Sequence, residues 1–270
     1  MKVTFPCLLL LSLLSSTVWA TPASSLPIPS PDDYFERAQN RAEQLKTQFD
    51  EYVALEASGK LDTKALPELL KGVEGDMAAM QHDLKMAAEG GHVVATYMLA
   101  NMQSRFGMGD EQRKQVCEPM HKAMDKGLLA AAVGYYYQCD QTYMRFDFLD
   151  PGHVKYLEDL KQMLLRVDGF KDFYPLYTQR SLCFEGDPRA EIKEQRTLGN
   201  MQARASARML TYDQYRADAY YILAATRMNE KGMPDSLNLT YLNQAFELGC
   251  KDPMTLKAYY EKAFGGQVAQ

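Results

Sequence analysis

The sequence predicts an all-α protein: an irregular α-solenoid of stacked antiparallel helix pairs with an N-terminal capping helix. Apolar residues recur at three- and four-residue steps almost from end to end, the mark of amphipathic helices. No stretch alternates apolar and polar residues long enough to be a strand. A corner of small residues, Ala-x3-Gly, returns along the chain.

The order of elements starts with an address label. Lys2 is followed by an apolar run from Leu8 to Leu14, and Val18-Trp19-Ala20 places small residues at the positions a signal peptidase reads. The run is shorter than the roughly 20 residues a membrane span needs. Residues 1–20 are therefore expected to be a signal peptide, 21–30 a flexible lead rich in Pro and Ser, and 31–270 one helical domain. Within it, Pro31-Asp32-Asp33 opens a helix whose stripe runs from Tyr34 through Val53, and Gly59 stops it. This helix does not share the corner pattern and is expected to act as a cap. A second helical stretch is expected over 67–89, broken near Gly72 or Gly75. Others are expected at 93–106, 111–126, 129–143, 152–166, 170–184, 188–210, 213–230, 237–248 and 253–264, bounded by Gly, Pro, Asp and Asn.

Repetition carries most information. Ala87-x3-Gly91-x3-Ala95-x3-Leu99-Ala100 returns 36 residues later as Ala123-x3-Gly127-x3-Ala131-x3-Tyr135. A third corner is Ala245-x3-Gly249-x3-Pro253, preceded by Ala219-x3-Leu223-Ala224 and Gly232. Small residues let helices cross closely, and a glycine just past a helix end adopts the left-handed turn that launches the next. One such pair cannot bury its apolar face alone, so neighbours must stack.

These residues resemble the Sel-one-like repeats, relatives of the tetratricopeptide repeats. Glu89-Gly90-Gly91-His92 through Leu99-Ala100 is similar to the family's first-helix motif. Tyr241-Leu242-Asn243-Gln244-Ala245-Phe246-Glu247-Leu248-Gly249 is similar to its second-helix close. The matches cover 84–137 and 214–258. The step from Gly127 to Gly249 is no multiple of 36, so the middle holds degenerate units or an insertion, at Tyr143–Phe148 or Phe184–Ala190. The resemblance implies adaptor or scaffold work on another protein. Exported members of this kind also serve as immunity proteins that neutralise secreted toxic effectors.

Four cysteines follow the leader: Cys117, Cys139, Cys183 and Cys250. An even count in an exported chain suggests two disulfides, with three possible pairings, against the alternative of buried thiols. Cys117 and Cys139 lie ten and twelve residues on either side of Gly127. In an antiparallel helix pair they come back level, which proposes Cys117–Cys139 and leaves Cys183–Cys250. The net charge is −5, and −6 without the leader and its Lys2, which argues against a nucleic-acid partner.

The search for chemistry returns no catalytic signature, no metal site and no cofactor motif. Cys117 and His121, four apart on one helix face, form a metal corner with Cys139 only if the cysteines stay reduced. His82, His92 and His153 stand alone, and His92 is placed to cap a helix. Asn238-Leu239-Thr240 reads either as a glycan acceptor or as a helix cap. Tyrosines offer the best candidate surface. Tyr135, Tyr136 and Tyr137 cannot all face one core, and with Tyr220 and Tyr221 they are the expected partner-binding residues, on a groove or an inter-repeat seam. The expected function is thus a non-enzymatic, exported binding protein, of the bacterial periplasm, with no membrane span after cleavage. The alternatives are an immunity protein, or a hydrolase or cell-wall-modifying enzyme with an unrecognised site.

Overall fold

The computed structural model describes residues 29–62, 64, 66–104, 108–140, 142–184, 197–200, 203, 208–251 and 254–264. The expected signal peptide, most of the flexible lead, Gly107 and Pro253 lie outside the described residues, as does most of 185–207. The elements in order are α1 (Pro31–Ala57), α2 (Leu66–Glu89), α3 (Val93–Gln103), α4 (Asp110–Asp125), α5 (Leu129–Gln138), α6 (Thr142–Arg145), α7 (Pro151–Leu164), a 3₁₀ turn (Lys171–Phe173), β1 (Leu176–Tyr177), β2 (Met209–Leu210), α8 (Tyr212–Thr226), α9 (Ser236–Glu247) and α10 (Leu256–Phe264). The described chain is predominantly helical, and helices adjacent in sequence pack on one another from α1 to α5 and from α8 to α10. One cluster of buried apolar side chains runs from Phe35 to Tyr260. Among the described residues, no helix is long and apolar enough to cross a membrane.

α1 begins at a reciprocal capping box between Ser30 and Asp33, with Pro31 in the first turn where its missing N–H is no loss. It buries only Phe35 and Ala38. Its pairing with α2 is fixed by Asp83, whose nearly buried carboxylate accepts hydrogen bonds from Arg37 at 3.0 Å and Arg41 at 3.1 Å. α2 continues through Gly72 and Gly75, so the expected break is absent. A glycine in a helix costs only about 1 kcal/mol, which packing along α1 can offset.

The three expected corners close alike. Gly91, Gly127 and Gly249 have φ of +93°, +96° and +88°. In each, the glycine N–H donates to the carbonyl three residues back, at Ala88, Met124 and Phe246. The following N–H, of His92, Leu128 and Cys250, donates to the carbonyl of the corner alanine, Ala87, Ala123 or Ala245. Both bonds satisfy carbonyls that a helix end otherwise leaves orphaned. The three alanines are buried, as are Ala95, Ala100, Ala131, Ala219 and Ala224. His92 caps α3 as expected: its Nδ1 accepts from the Ala95 N–H at 3.2 Å, and its ring stacks on Phe35 at 4.0 Å.

The helix expected over 170–184 is not present. Pro175 lacks a donor and disfavours helical backbone at Tyr174; the Tyr174–Pro175 bond is cis, and the chain extends into β1. β1 pairs antiparallel with β2, Leu176 opposite Leu210 and Tyr177 opposite Met209. The stretch expected as one helix over 129–143 also ends early, at Gln138. Buried tyrosines explain how β1 is held. The Tyr97 hydroxyl on α3 and the Tyr215 hydroxyl on α8 lie 2.9 Å apart. Tyr97 donates to the Tyr177 carbonyl at 2.8 Å, joined there by Asn101 Nδ2 at 2.7 Å. α3, β1 and α8 are thereby joined through polar groups satisfied inside an apolar core.

The cysteines pair as the spacing about Gly127 proposes. Cys117 of α4 is bonded to Cys139 at the end of α5, and Cys183 to Cys250. The second bridge ties the segment after β1 to the turn between α9 and α10.

Candidate functional site

Three successive residues on a helix point about 100° apart, so the tyrosines ending α5 take three directions. Tyr136 faces the core, 2% exposed, and stacks on Tyr156 of α7 with centroids 6.3 Å apart. The Tyr137 hydroxyl is occupied: it donates to Asp218 Oδ1 at 3.0 Å and accepts from the Leu182 N–H at 2.8 Å. Tyr135 stays half-buried at the surface, edge-on to His121. On α8, Tyr221 is wholly buried and its hydroxyl accepts from the Met254 N–H at 3.3 Å. Tyr220 is half-buried and stacks on Tyr241. Of the five expected tyrosines, Tyr136 and Tyr221 thus have no surface to offer a partner, and Tyr137 spends its hydroxyl internally.

Tyr135 forms one wall of a cavity of about 250 Å³ between the end of α5 and the start of α7. Asp140, Thr142, Arg145, Asp147, Asp150, His153 and Tyr156 also line it. Three carboxylates face one guanidinium there. The loop that builds the cavity is pinned at both ends. Cys139 anchors it to α4 through the bridge. Asp140 Oδ1 accepts from the Thr142 N–H at 2.9 Å, and Asp140 Oδ2 meets His153 Nδ1 at 2.5 Å. Asp150 caps α7, accepting from the N–H groups of Gly152 and His153. Burial raises the Asp140 carboxyl, but the hydrogen bonds from His153 and Thr142 outweigh it and hold the group below its ordinary range. The His153 side chain is fully enclosed, and its Nε2 has no hydrogen-bond partner.

The loop that carries these lining residues is itself apolar and strained between them. Phe146 has φ of +56°, a left-handed backbone that bulky side chains rarely adopt, and it is 75% exposed. Leu149 beside it is 49% exposed and packs over Gly232, and the neighbouring Met233 is 55% exposed. The aromatic loop at Tyr143–Phe148, expected only as an insertion, therefore carries the most exposed aromatic side chain of the described residues.

The sulfur in the lining is bonded in the bridge, and the His153 ring is shut away from the opening. Among the described residues, no three His, Cys, Asp or Glu side chains converge to hold a metal ion. The Cys117–His121 corner is dissolved by the bridge, and His121 instead meets Asp125 at 3.0 Å. Asn238 is wholly buried: its Nδ2 donates to the carbonyls of Ala224 and Arg227, so it closes the end of α8 and offers no site for a glycan.

Sequence reasoning missed the Asp140–His153 pair because the two residues are thirteen apart across an irregular loop. The signal available was an acid just past the bridge cysteine, with a histidine in the first turn of the next helix. Comparison of the chain with protein-family models, with curated proteins and with solved structures found no match.

Proposed function

We propose that this chain is an exported, non-enzymatic helical-repeat protein that binds another protein, as an adaptor or scaffold, through the surface at the 139–153 loop. One observation carries the reading: strained, exposed Phe146 and exposed Leu149 lie on the loop whose residues Arg145, Asp147 and Asp150 line a cavity. Exposed aromatic and apolar anchors around a pocket are the usual anatomy of an interface hot spot. Export is supported by the leader sequence and by two disulfides, which persist in oxidising compartments such as the periplasm. The Sel-one-like resemblance is supported by three Ala-x3-Gly corners with the same hydrogen bonds. A solenoid is supported by the sequential packing of neighbouring helices. The capping role of α1 is supported by its small buried face.

The inhibitor variant, an immunity protein facing a toxic effector, draws support from the acidic cavity, which suits a basic partner. The hydrolase alternative would have to use His153 and Asp140, and the enclosure of that ring weighs against it. The test is affinity capture of the oxidised protein from extract of the exporting compartment. A reproducible partner is expected, lost at least tenfold with Phe146→Asp. No partner, or one indifferent to Phe146→Asp, contradicts the reading.

A further inference from the structure

We propose that the Cys117–Cys139 bridge is a site of thiol–disulfide exchange, opened by a dithiol reductant through a mixed disulfide on Cys139, and that opening it loosens the 139–153 loop and weakens partner binding. The effect on binding rests on the reading above; the exchange itself does not. The two bridges sit in different surroundings. Cys183 and Cys250 are 1% and 8% exposed. The Cys183 backbone is held on both sides: its N–H donates to Asp218, and its carbonyl accepts from the Lys251 N–H. Cys117 and Cys139 are only half-buried, and Cys139 lines the cavity beside Tyr135. Exchange requires a thiolate to reach a bridge sulfur, so access separates the two bridges.

The helices around Cys117–Cys139 have other ties. The Gly127 corner turns α4 into α5, and a β-carbon on Gly134 of α5 would stand 3.2 Å from Met120 Sδ of α4, so the two helices pack closely. The loop depends on the bridge more. Cys139 is the residue after α5, where the chain leaves the helix. The hydrogen bonds from the Asp147 N–H to the Thr142 carbonyl and from the Asp150 N–H to the Asp147 carbonyl stay within the loop. Phe146, at φ +56°, keeps that backbone only while its surroundings hold it. In the exchange, a thiolate of the reductant attacks Cys139 Sγ, the bridge S–S bond breaks, and Cys117 leaves as a thiolate that takes a proton from water. The second thiolate of the reductant attacks the reductant sulfur of the mixed disulfide and releases Cys139. Two electrons pass to the protein, and the reductant ends as a disulfide. Cys117 is the better leaving group. Cys139 stands at the negative end of the α5 dipole with Asp140 next to it, whereas Cys117 lies inside α4.

Differential alkylation of the oxidised, folded protein during treatment with dithiothreitol tests the exchange. Cys117 and Cys139 are expected to label about tenfold faster than Cys183 and Cys250. With glutathione as a monothiol probe, the mixed disulfide is expected on Cys139. Amide hydrogen exchange of protein reduced at this bridge alone is expected to quicken across 140–150, while the buried stretches of α4 and α5 keep their protection. In affinity capture, the double variant Cys117→Ser, Cys139→Ser is expected to recover about tenfold less partner, because an unpinned loop must be ordered on binding. Equal labelling of all four cysteines, or earlier opening of Cys183–Cys250, would overturn the proposal. Glutathione found on Cys117 would overturn the assigned sulfur, and unchanged hydrogen exchange over 140–150 would overturn the loosening of the loop. Undiminished capture by the double variant would overturn the control of binding while leaving the surface in place. Failure of the oxidised wild type to capture a partner would contradict the binding reading, and the labelling result would still judge the exchange.

Discussion

Asp218 sits on α8 with no exposed surface, accepting hydrogen bonds from the Tyr137 hydroxyl and the Cys183 N–H. Burial pushes its carboxyl up to about 6, against the lowering influence of Cys183, Ser181 and Tyr137. In the unfolded chain the group returns to its ordinary value near 3.8. Between those values the folded chain holds a proton that the unfolded chain has released. Asp218 therefore stabilises the fold fully below the unfolded value and loses that contribution as pH rises through 6. Asp140 acts oppositely: its lowered carboxyl contributes stability above the ordinary range and loses it on acidification. Comparing wild type with Asp218→Asn isolates the first effect. Urea unfolding should give the wild type an advantage at pH 5 over pH 7.5 that exceeds the variant's by roughly 1–1.5 kcal/mol. Equal pH dependence in the two proteins would show that Asp218 does not titrate this way. At this scale the sequence was partly legible. His92 could be read as a cap because it follows a helix, whereas Asn238, expected as the cap of its own helix, is the third residue of α9 and answers the true cap, Asp235, in a capping box. The Tyr137–Asp218 contact could not be read, since its partners are 81 residues apart and meet only through packing of α5 on α8.

Among the elements, the Ala-x3-Gly corner shows why part of the fold was readable. Its hydrogen bonds are local, so residue type and spacing suffice to specify them. A β-carbon at Gly127 would meet nothing within 4 Å, so Gly127→Ala should cost only the conformational penalty of φ +96°, roughly 1–2 kcal/mol in denaturant unfolding. A cost near zero would mean that the corner relaxes to another turn. Gly90 differs: a β-carbon there would stand 2.5 Å from Pro31 Cγ, so its constraint is close approach. The Cys117–Cys139 bridge closes a loop with a sequence separation of 22, and its removal by paired Ser substitutions should cost about 3 kcal/mol. A loss below about 1 kcal/mol would indicate that the α4–α5 corner alone sets the geometry. The segment over 170–184 misled the helix pattern because its apolar spacing is helical while Pro175 forbids the backbone. What fixes its extended path is distant: Tyr97, Asn101 and Tyr215 all hold β1 carbonyls.

Across the whole molecule, two groups of packed helices, α1 to α5 and α8 to α10, share one core through the buried tyrosines and β1. The cavity sits where α5 turns toward α7, close to the loop that carries Phe146. The candidate surface was only half legible for that reason. Tyr135 could be singled out by composition, but the exposed apolar side chains of Phe146 and Leu149 lie on an irregular loop, with Leu149 over Gly232 of a distant segment. Of the helical tyrosines named without their neighbours, Tyr136 and Tyr221 fell into the core, as aromatic residues do when helices cross above them. The most direct measurement places a photo-crosslinking phenylalanine analogue at position 146, and at exposed Val167 as control, in living cells that produce the protein. One discrete protein adduct from position 146, absent from position 167, is the expected result. No adduct at 146, or the same adducts at both positions, would contradict the claim that this surface binds a partner.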